Sequence, residues 1–187
     1  MSGLNTPQQQ AVAYLDGPLL VLAGAGSGKT KVITEKIAHL IHSGQVAAEH
    51  IAAITFTNKA AREMRERVAK RISKAAAEAV TVTTFHSLGL KFLQEECRQV
   101  GLRRGFSIFD SDDQQGLIKD LLPPGADKDA LYAAQGWISK VKNMALSPEQ
   151  AQEHAKTLHE KDIATLYARY QGRLQTLNAV DFDDLIR

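Results

Sequence analysis

One glycine-rich stretch near the N-terminus constrains this chain more than any other feature. It follows the apolar run Leu19–Leu22 and precedes an amphipathic segment over residues 31–42, so a strand, a turn and a helix are predicted around it. Glycines let successive backbone N–H groups turn toward an anion, and the start of the helix adds its positive end. The sequence therefore predicts a phosphate-binding P-loop, made of Ala23, Gly24, Ala25, Gly26, Ser27, Gly28, Lys29 and Thr30.

Two polar residues at the end of this loop give it its chemistry. Lys29 is expected to reach the β- and γ-phosphates of a nucleotide, and the Thr30 hydroxyl is expected to bind Mg²⁺. A flexible glycine and serine turn that binds nothing is the alternative. A lysine and a threonine at the start of a helix argue against it, because a plain turn needs neither residue. Ala23 stands where glycine usually opens the motif.

Composition and charge set broad limits on function. The chain has 187 residues, of which 44% are hydrophobic and 24% charged, which is typical of a soluble globular protein of one domain or slightly more. The sequence has no apolar run of membrane-spanning length and no secretory signal pattern at its N-terminus. Cys97 is the single cysteine, so no internal disulfide can form, which favours a cytoplasmic protein. The net charge of +2 does not by itself indicate nucleic acid.

Alternating strands and helices in residues 1–86 predict an α/β domain with a parallel sheet. The predicted strands are Leu19–Leu22, Ile51–Phe56 and Val80–Thr84. Ligands bind at the carboxyl ends of such strands. The P-loop, the Phe56–Asn58 segment and Phe85–His86 all follow a strand directly, so we expect them to share one edge of the sheet.

Residues 87–187 predict a second, all-helical subdomain. Amphipathic segments follow one another, and Phe106–Asp110 is a short extended stretch among them. Asp181, Asp183 and Asp184 follow an apolar run that is too short to be a strand, so they predict the first turn of a helix. The predicted helix is interrupted at Arg187, which suggests a truncated chain.

A P-loop enzyme also needs a carboxylate at the end of an apolar strand, where it holds Mg²⁺ and activates water. Asp110 is the nearest match, although Ser107 interrupts the apolar run before it. If Asp110 serves, the chain is a small P-loop phosphotransferase; if not, part of the catalytic apparatus is missing. The sequence argues against a GTPase, because Ala61 stands where an Asn-Lys-x-Asp motif beginning at Asn58 requires aspartate.

Several positions allow two interpretations each. Gln8, near the start of a helix predicted from Thr6 to about Leu15, is either an exposed polar residue or the partner of a purine edge. Phe56 at a strand end is either core or a base-stacking platform. The basic segment from Lys59 to Lys74 is either a solvated face or a nucleic-acid surface. The other histidines complete no metal site and are interpreted as surface residues, whereas His86 is distinguished by its position at the sheet edge beside Phe85.

The order of these motifs resembles the N-terminal portion of the Rep/UvrD-like superfamily 1 DNA helicases, over essentially the whole chain. The matching segments are Leu4-Asn5 with Gln8, residues 11–12, 23–30 and 54–64, Thr84-Phe85-His86-Ser87, Phe106–Asp110 and residues 181–186. The resemblance implies an ATP-dependent helicase that moves 3′ to 5′ along one DNA strand, using Mg²⁺. It also implies that residues 1–86 begin a RecA-like motor domain and that residues 87–187 are its helical insert.

The resemblance assigns roles to individual residues. Gln8 would recognise adenine, and residues 23–31 would bind ATP, with Lys31 where the family commonly has arginine. A lysine there offers adenine a point charge instead of a planar face, so weaker nucleotide binding is expected. The positions expected to contact single-stranded DNA are Phe56, Thr57, Asn58, Thr84 and His86.

The implied partners are single-stranded DNA, junctions of single and double strands, and replication or repair proteins at the nucleoid. The family's Asp-Glu metal motif, its second RecA-like domain and the arginines of that domain do not occur in these 187 residues. The chain alone is therefore not expected to unwind DNA, since an arginine finger can be worth roughly 10³–10⁵ in rate. A non-enzymatic DNA-binding module with a relic P-loop remains an alternative beside the phosphotransferase.

Overall fold

The computed structural model describes residues 3–187, which divide into two compact units. The N-terminal unit ends at Phe85, and the C-terminal unit comprises His86–Arg187. In the N-terminal unit the elements are α1 (Thr6–Ala13), α2 (Lys29–His42), a 3₁₀ turn (Ala48–His50), β1 (Ala52–Thr55), α3 (Asn58–Ala69), α4 (Lys74–Ala79) and β2 (Thr81–Thr84). Helix α5 (Phe85–Glu96) starts at the last residue of that unit and continues into the C-terminal one.

A two-stranded parallel sheet forms the centre of the N-terminal unit. Strand β1 pairs with β2 from Ala52 opposite Thr81 to Thr55 opposite Thr84. Helix α3 buries Ala61, Met64 and Val68 on one stripe, with the spacing of a helix that packs one apolar face. Because the strands are parallel and in register, the residues that follow them emerge side by side.

The strand predicted before the P-loop is wrong. Residues 18–24, all within the described part of the chain, have no regular secondary structure. Leu20 is 82% exposed and Leu22 is 86% exposed. A strand is stable only when a neighbour satisfies its backbone groups, and in the N-terminal unit β1 and β2 pair with each other instead. The apolar run therefore has the composition of a buried strand without a pairing partner among the described residues.

Helix α1 begins at Thr6, as its sequence predicts, and ends slightly earlier than predicted. Asn5 is the N-cap: its side-chain oxygen accepts a hydrogen bond from the Gln8 backbone N–H at 3.0 Å. The Gln8 side chain accepts in return from the Asn5 N–H, also at 3.0 Å. The helix ends at Ala13 rather than near Leu15.

The C-terminal unit is mostly helical around one core. Its further elements are a 3₁₀ turn (Cys97–Val100), β3 (Ser107–Phe109), α6 (Ser111–Leu121), α7 (Lys128–Asn143), α8 (Pro148–His154), α9 (Leu158–Thr176) and β4 (Ala179–Asp181). Helices α6, α7 and α9 bury a cluster that includes Ile118, Ile138, Tyr167, Tyr170 and Leu174. The apolar stripes of these helices predicted that packing.

Two expectations for the C-terminal unit need correction. The unit is not all-helical, because β3 and β4 form a parallel pair with Ile108 opposite Val180. Asp181 ends β4, and residues 182–186 form turns rather than a helix. After α9 ends, Asn178 adopts a left-handed conformation, with φ of 52°, and the chain continues directly into β4. A fully buried strand of three residues carries no alternation, so sequence periodicity could not reveal it.

Among residues 3–187, no helix combines the length and the apolar character that crossing a bilayer requires.

Candidate nucleotide-binding and nucleic-acid sites

The P-loop has the backbone geometry of an anion-binding turn. Gly26 and Gly28 have φ of 75° and 82°, in the left-handed region that glycine adopts without strain. Gly28 is the N-cap of α2, and no side chain caps the helix there. The first backbone N–H groups of α2 are therefore not used by a capping side chain, and the positive end of the helix dipole lies at the loop. Both features favour a phosphate group.

Lys29 lies over its own loop. Its Nζ donates hydrogen bonds to the Ala23 carbonyl at 2.8 Å and to the Gly24 carbonyl at 2.6 Å. The Ser27 hydroxyl also donates to Gly24, at 2.7 Å. Lys29 is exposed and Thr30 is half-buried beside it. The ammonium group is thus held at the loop by two exposed neutral acceptors that an anion could replace.

Gln8 lies against the P-loop. Its Nε2 donates to the Ser27 carbonyl at 2.9 Å, and a Cβ at Gly28 would lie 3.1 Å from the same nitrogen. The structure therefore brings Gln8 to the predicted nucleotide site, where its interaction with adenine stays a prediction. Two lysines of α2 also hold the N-terminal segment: Lys31 donates to the Gly3 carbonyl, before α1, at 2.6 Å, and Lys36 donates to the Ala11 carbonyl of α1 at 3.0 Å.

Two phenylalanines lie together at the carboxyl ends of β1 and β2. The ring centroids of Phe56 and Phe85 are 6.1 Å apart, with the planes at 59°. Phe56 is 90% exposed, which rules out the core interpretation, and Phe85 is 47% exposed. Sequence reasoning placed both residues at this edge but did not include Phe85 among the binding residues. The pairing of Thr55 with Thr84 makes the two rings neighbours.

The other residues predicted at this edge have different environments. Thr57 is the N-cap of α3, and its hydroxyl accepts from the Ala60 N–H at 3.1 Å. Asn58 is exposed at the first position of that helix. Thr84 is buried, so its side chain lies inside the unit and not on the accessible surface. Of the three, Asn58 is the one whose side chain is most freely available to a ligand.

Three arginines of the basic segment from Lys59 to Lys74 have polar partners within the N-terminal unit. Arg65 donates to the Val82 carbonyl at 2.6 Å, and Arg71 lies 2.8 Å from a Glu35 carboxylate oxygen. Arg67 faces Glu63 at 3.9 Å. Because these arginines make contacts within the protein, we interpret the segment as a solvated helix face and not as a dedicated nucleic-acid surface.

Asp110, the candidate metal carboxylate, serves another purpose. Its Oδ1 accepts from the backbone N–H groups of Asp112 at 2.9 Å and Asp113 at 3.0 Å, so Asp110 is the N-cap of α6. Within residues 3–187, no group of three or more His, Cys, Asp or Glu side chains is placed to hold a metal ion. The geometry therefore gives no support to a phosphotransferase built on Asp110.

His86 opens the C-terminal unit and contacts an aromatic ring there. Its ring lies 5.7 Å from that of Phe182, edge to face at 77°. Phe182 belongs to the turn after β4 and is 46% exposed. No local sequence signal indicates this pairing, because the two residues are far apart in the chain.

A buried charge cluster lies behind that turn. Lys142, whose side chain has no exposed surface, pairs with Asp181 at 2.8 Å and with Asp184 at 2.9 Å. The Tyr170 hydroxyl also donates to Asp181 at 2.8 Å. Sequence reasoning missed Lys142, although its position four residues after Ile138, on a buried stripe of α7, was a usable signal.

The pKa values of this cluster follow from burial and from Lys142. Burial by itself would raise the pKa of Asp181, but the ammonium of Lys142 and the hydrogen bonds to Asp181 outweigh it and lower that pKa. Burial dominates at Asp184 and raises its pKa despite Lys142. Burial, followed by the charge of Asp181, raises the pKa of Tyr170. Tyr170 is therefore a hydrogen-bond donor throughout the physiological range.

Comparison with known proteins shows what this chain is similar to. Residues 4–187 match the UvrD/REP helicase N-terminal domain. The chain is 46% identical, over 98% of its length, to the ATP-dependent DNA helicase Rep of Escherichia coli (strain K12), of which it covers 28%. It is 42% identical, over its whole length, to the ATP-dependent DNA helicase PcrA of Staphylococcus aureus (strain Mu50), of which it covers 26%.

The chain thus spans little more than a quarter of these relatives, and the matching region includes the P-loop, the two-phenylalanine edge and the turn after β4. A match over nearly all residues, in one order and with the loop geometry described above, is specific. This chain belongs to the UvrD/REP helicase family, of which it represents the N-terminal domain.

Proposed function

We propose that this chain is the ATP- and DNA-binding N-terminal portion of an ATP-dependent helicase that moves 3′ to 5′ along single-stranded DNA and unwinds duplex ahead of it. The observation that carries the proposal is the P-loop, where left-handed Gly26 and Gly28 and an uncapped helix start form an anion seat beside Lys29. The relatives' names specify ATP dependence and DNA helicase activity.

The nucleotide site would use residues 23–31 together with Gln8. Lys29 would leave the carbonyls of Ala23 and Gly24 and pair with the β- and γ-phosphates, which are stronger acceptors because they are charged. Thr30 would bind Mg²⁺ through its hydroxyl. Gln8, already at the loop, would turn its amide to the adenine edge.

The DNA site would be built on the edge that carries Phe56 and Phe85. Exposed aromatic rings offer a stacking face to any base, which suits a translocase that must not depend on sequence. Asn58 beside them has a free amide for a base or a phosphate. Thr84 would support its neighbours from inside the sheet. In the C-terminal unit, His86 is proposed separately as a residue that contacts single-stranded DNA.

The working protein would need more than these 187 residues. Residues 1–86 would begin the motor domain, and residues 87–187 would form a helical insert carrying the small β3–β4 sheet. Alone, the chain would bind ATP and single strands weakly and would not unwind duplex. The intact protein would act in the cytoplasm, at the nucleoid, on junctions of single and double strands, together with replication or repair proteins.

Nucleotide binding by a Lys29→Ala variant tests the proposal. Binding of a fluorescent ATP analogue should fall at least about tenfold, because a charge-assisted phosphate contact is lost. Lys70→Ala is the matched control, since Lys70 is an exposed lysine of the same unit and distant in sequence from the loop. Equal binding by Lys29→Ala and Lys70→Ala would favour instead a DNA-binding module with a relic P-loop.

A further inference from the structure

The turn after β4 is held by all three of its carboxylates. We call Asp181–Asp184 the anchored turn. Asp183 accepts hydrogen bonds from Ser139 at 3.1 Å and from Asn143 at 3.2 Å, and Asp184 lies 2.9 Å from Lys142. The contacts of Asp181 come from three helices and are made by Gln114 of α6 at 3.3 Å, Lys142 of α7 at 2.8 Å and Tyr170 of α9 at 2.8 Å.

Stability alone is a poor explanation for this cluster. Burying an ammonium and two carboxylates costs several kcal/mol per ion before pairing, and well-packed apolar side chains of the same volume are often at least as stable. What such a cluster supplies is a fixed geometry, because each hydrogen bond restricts the direction of its partner. The anchored turn is therefore over-constrained for a chain segment so close to the surface.

The anchored turn and the residue after it touch the start of α5 at two points. The half-exposed Phe182 ring packs edge to face against His86 at 5.7 Å. One helical turn further along α5, the backbone of Gly89 approaches Leu185 so closely that a Cβ at Gly89 would lie 1.7 Å from the Leu185 carbonyl oxygen. The position of the His86 ring thus depends on where the anchored turn and the backbone just after it lie.

We propose that Lys142 is a positioning residue for DNA binding, acting through Asp181, Asp184 and Phe182 on the ring of His86. The inference rests on the proposed function, in which His86 contacts the DNA strand. Without the ammonium, the two buried carboxylates would face each other with no counter-charge, and the turn would move to bring them to water. Phe182 would move with the turn, and the His86 ring would lose its fixed edge-to-face partner.

A Lys142→Met variant of the full chain tests this inference with two readouts. The first is the NMR chemical shift of the His86 ring protons, which the ring current of Phe182 changes. A Phe182→Leu variant lacks that ring and gives the chemical shift of His86 without it. The second is the affinity for a fluorescent oligothymidylate. Lys140→Met is the matched control, since Lys140 lies on the exposed side of the same helix.

In Lys142→Met, the His86 signals should move toward those of Phe182→Leu, and the dissociation constant for the oligothymidylate should rise roughly 2- to 30-fold. Lys140→Met should change neither. A folded Lys142→Met protein with His86 signals and affinity equal to those of Lys140→Met would overturn the inference.

Tyr170→Phe decides the question if Lys142→Met does not fold. It keeps the buried ring and removes only the hydroxyl that donates to Asp181. A displacement of the His86 signals in the same direction supports the inference, and unchanged signals overturn it. His86→Ala separates this inference from the proposed function. Unchanged DNA affinity in that variant would show that His86 is not part of the DNA site. The His86 signals of Lys142→Met report on the connection between Lys142 and His86 whatever that affinity is.

Discussion

Replacing Gly89 with alanine should destabilise the C-terminal unit, although alanine is the better helix former. Gly89 lies inside α5, where the substitution normally gains up to about 1 kcal/mol of folding free energy. Here the new Cβ would lie 1.7 Å from the Leu185 oxygen and 2.8 Å from its carbonyl carbon. Real Cβ atoms essentially never come closer than 3.0 Å to another heavy atom, so two backbone segments must separate by more than an ångström.

Backbone cannot rotate away as a flexible side chain can, so the overpacking penalty should lie at the upper end of its usual range of about 1–3 kcal/mol. After the gain in helix propensity, a net loss of about 1–2 kcal/mol is expected. For a unit of this size, that corresponds to a fall in Tm of roughly 5–15 °C. Urea unfolding and thermal unfolding, both followed by far-ultraviolet circular dichroism, measure these quantities directly.

Gly172→Ala is the control for that experiment. Gly172 lies inside α9, and a Cβ there would meet nothing within 4 Å, so the same substitution should stabilise the protein or leave it unchanged. If Gly89→Ala proves as stable as Gly172→Ala, α5 does not pack on the Leu185 backbone as described. The contact that helps to place His86 would then be refuted as well.

Three further predictions concern the exposed rings, the apolar run and the buried carboxylates. Phe56→Ala should weaken binding to single-stranded DNA by about 1–3 kcal/mol without changing the salt dependence of binding, because no phosphate contact is lost. Fluorescence anisotropy at several salt concentrations measures the affinity and its salt dependence, and a changed salt dependence would contradict a stacking role. Leu22→Ser should change the free energy of unfolding by less than about 0.5 kcal/mol, since Leu22 is exposed; a loss of 2 kcal/mol or more, typical of about one buried leucine, would show that the segment is a packed strand. Asp181 has a lowered pKa in the folded state, so it should stabilise the protein above its unfolded pKa, and this stability should be lost as the pH falls through the folded pKa. The raised pKa of Asp184 acts in the opposite direction. Asp181→Asn should therefore flatten the acid limb of a curve of stability against pH, and an unchanged limb would exclude Asp181 as its source.

Local sequence signals predicted the elements whose causes are local. The start of α2 at Lys29 follows from the glycines before it, and the buried stripe of α3 follows from apolar spacing. The same kind of signal failed at Leu19–Leu22, because whether an apolar run becomes a strand depends on a neighbouring strand that periodicity does not report. The run has the composition of a strand, but it forms no strand because no neighbouring strand pairs with it among the described residues.

The anchored turn shows a second limit of sequence reasoning. Three aspartates within four residues have the pattern of a helix start, where carboxylates complement the dipole. Their partners are instead Lys142, which is 39 residues from Asp181, and Tyr170, Ser139 and Asn143 on other elements. A single sequence cannot identify contacts made over such separations, although a lysine on an otherwise apolar helical stripe indicates that a buried counter-charge must exist somewhere.

The two lysines at the centre of these sites differ in how firmly they are held, and that difference fits their proposed roles. Lys29 is exposed and bonded to two neutral carbonyls, and a phosphate can replace these contacts with stronger bonds because donor and acceptor are then both charged. Lys142 is buried between two carboxylates, and no ligand could compensate for leaving them unpaired. A lysine that must exchange partners during a nucleotide cycle needs the first environment, and one that must keep a surface ring in place needs the second.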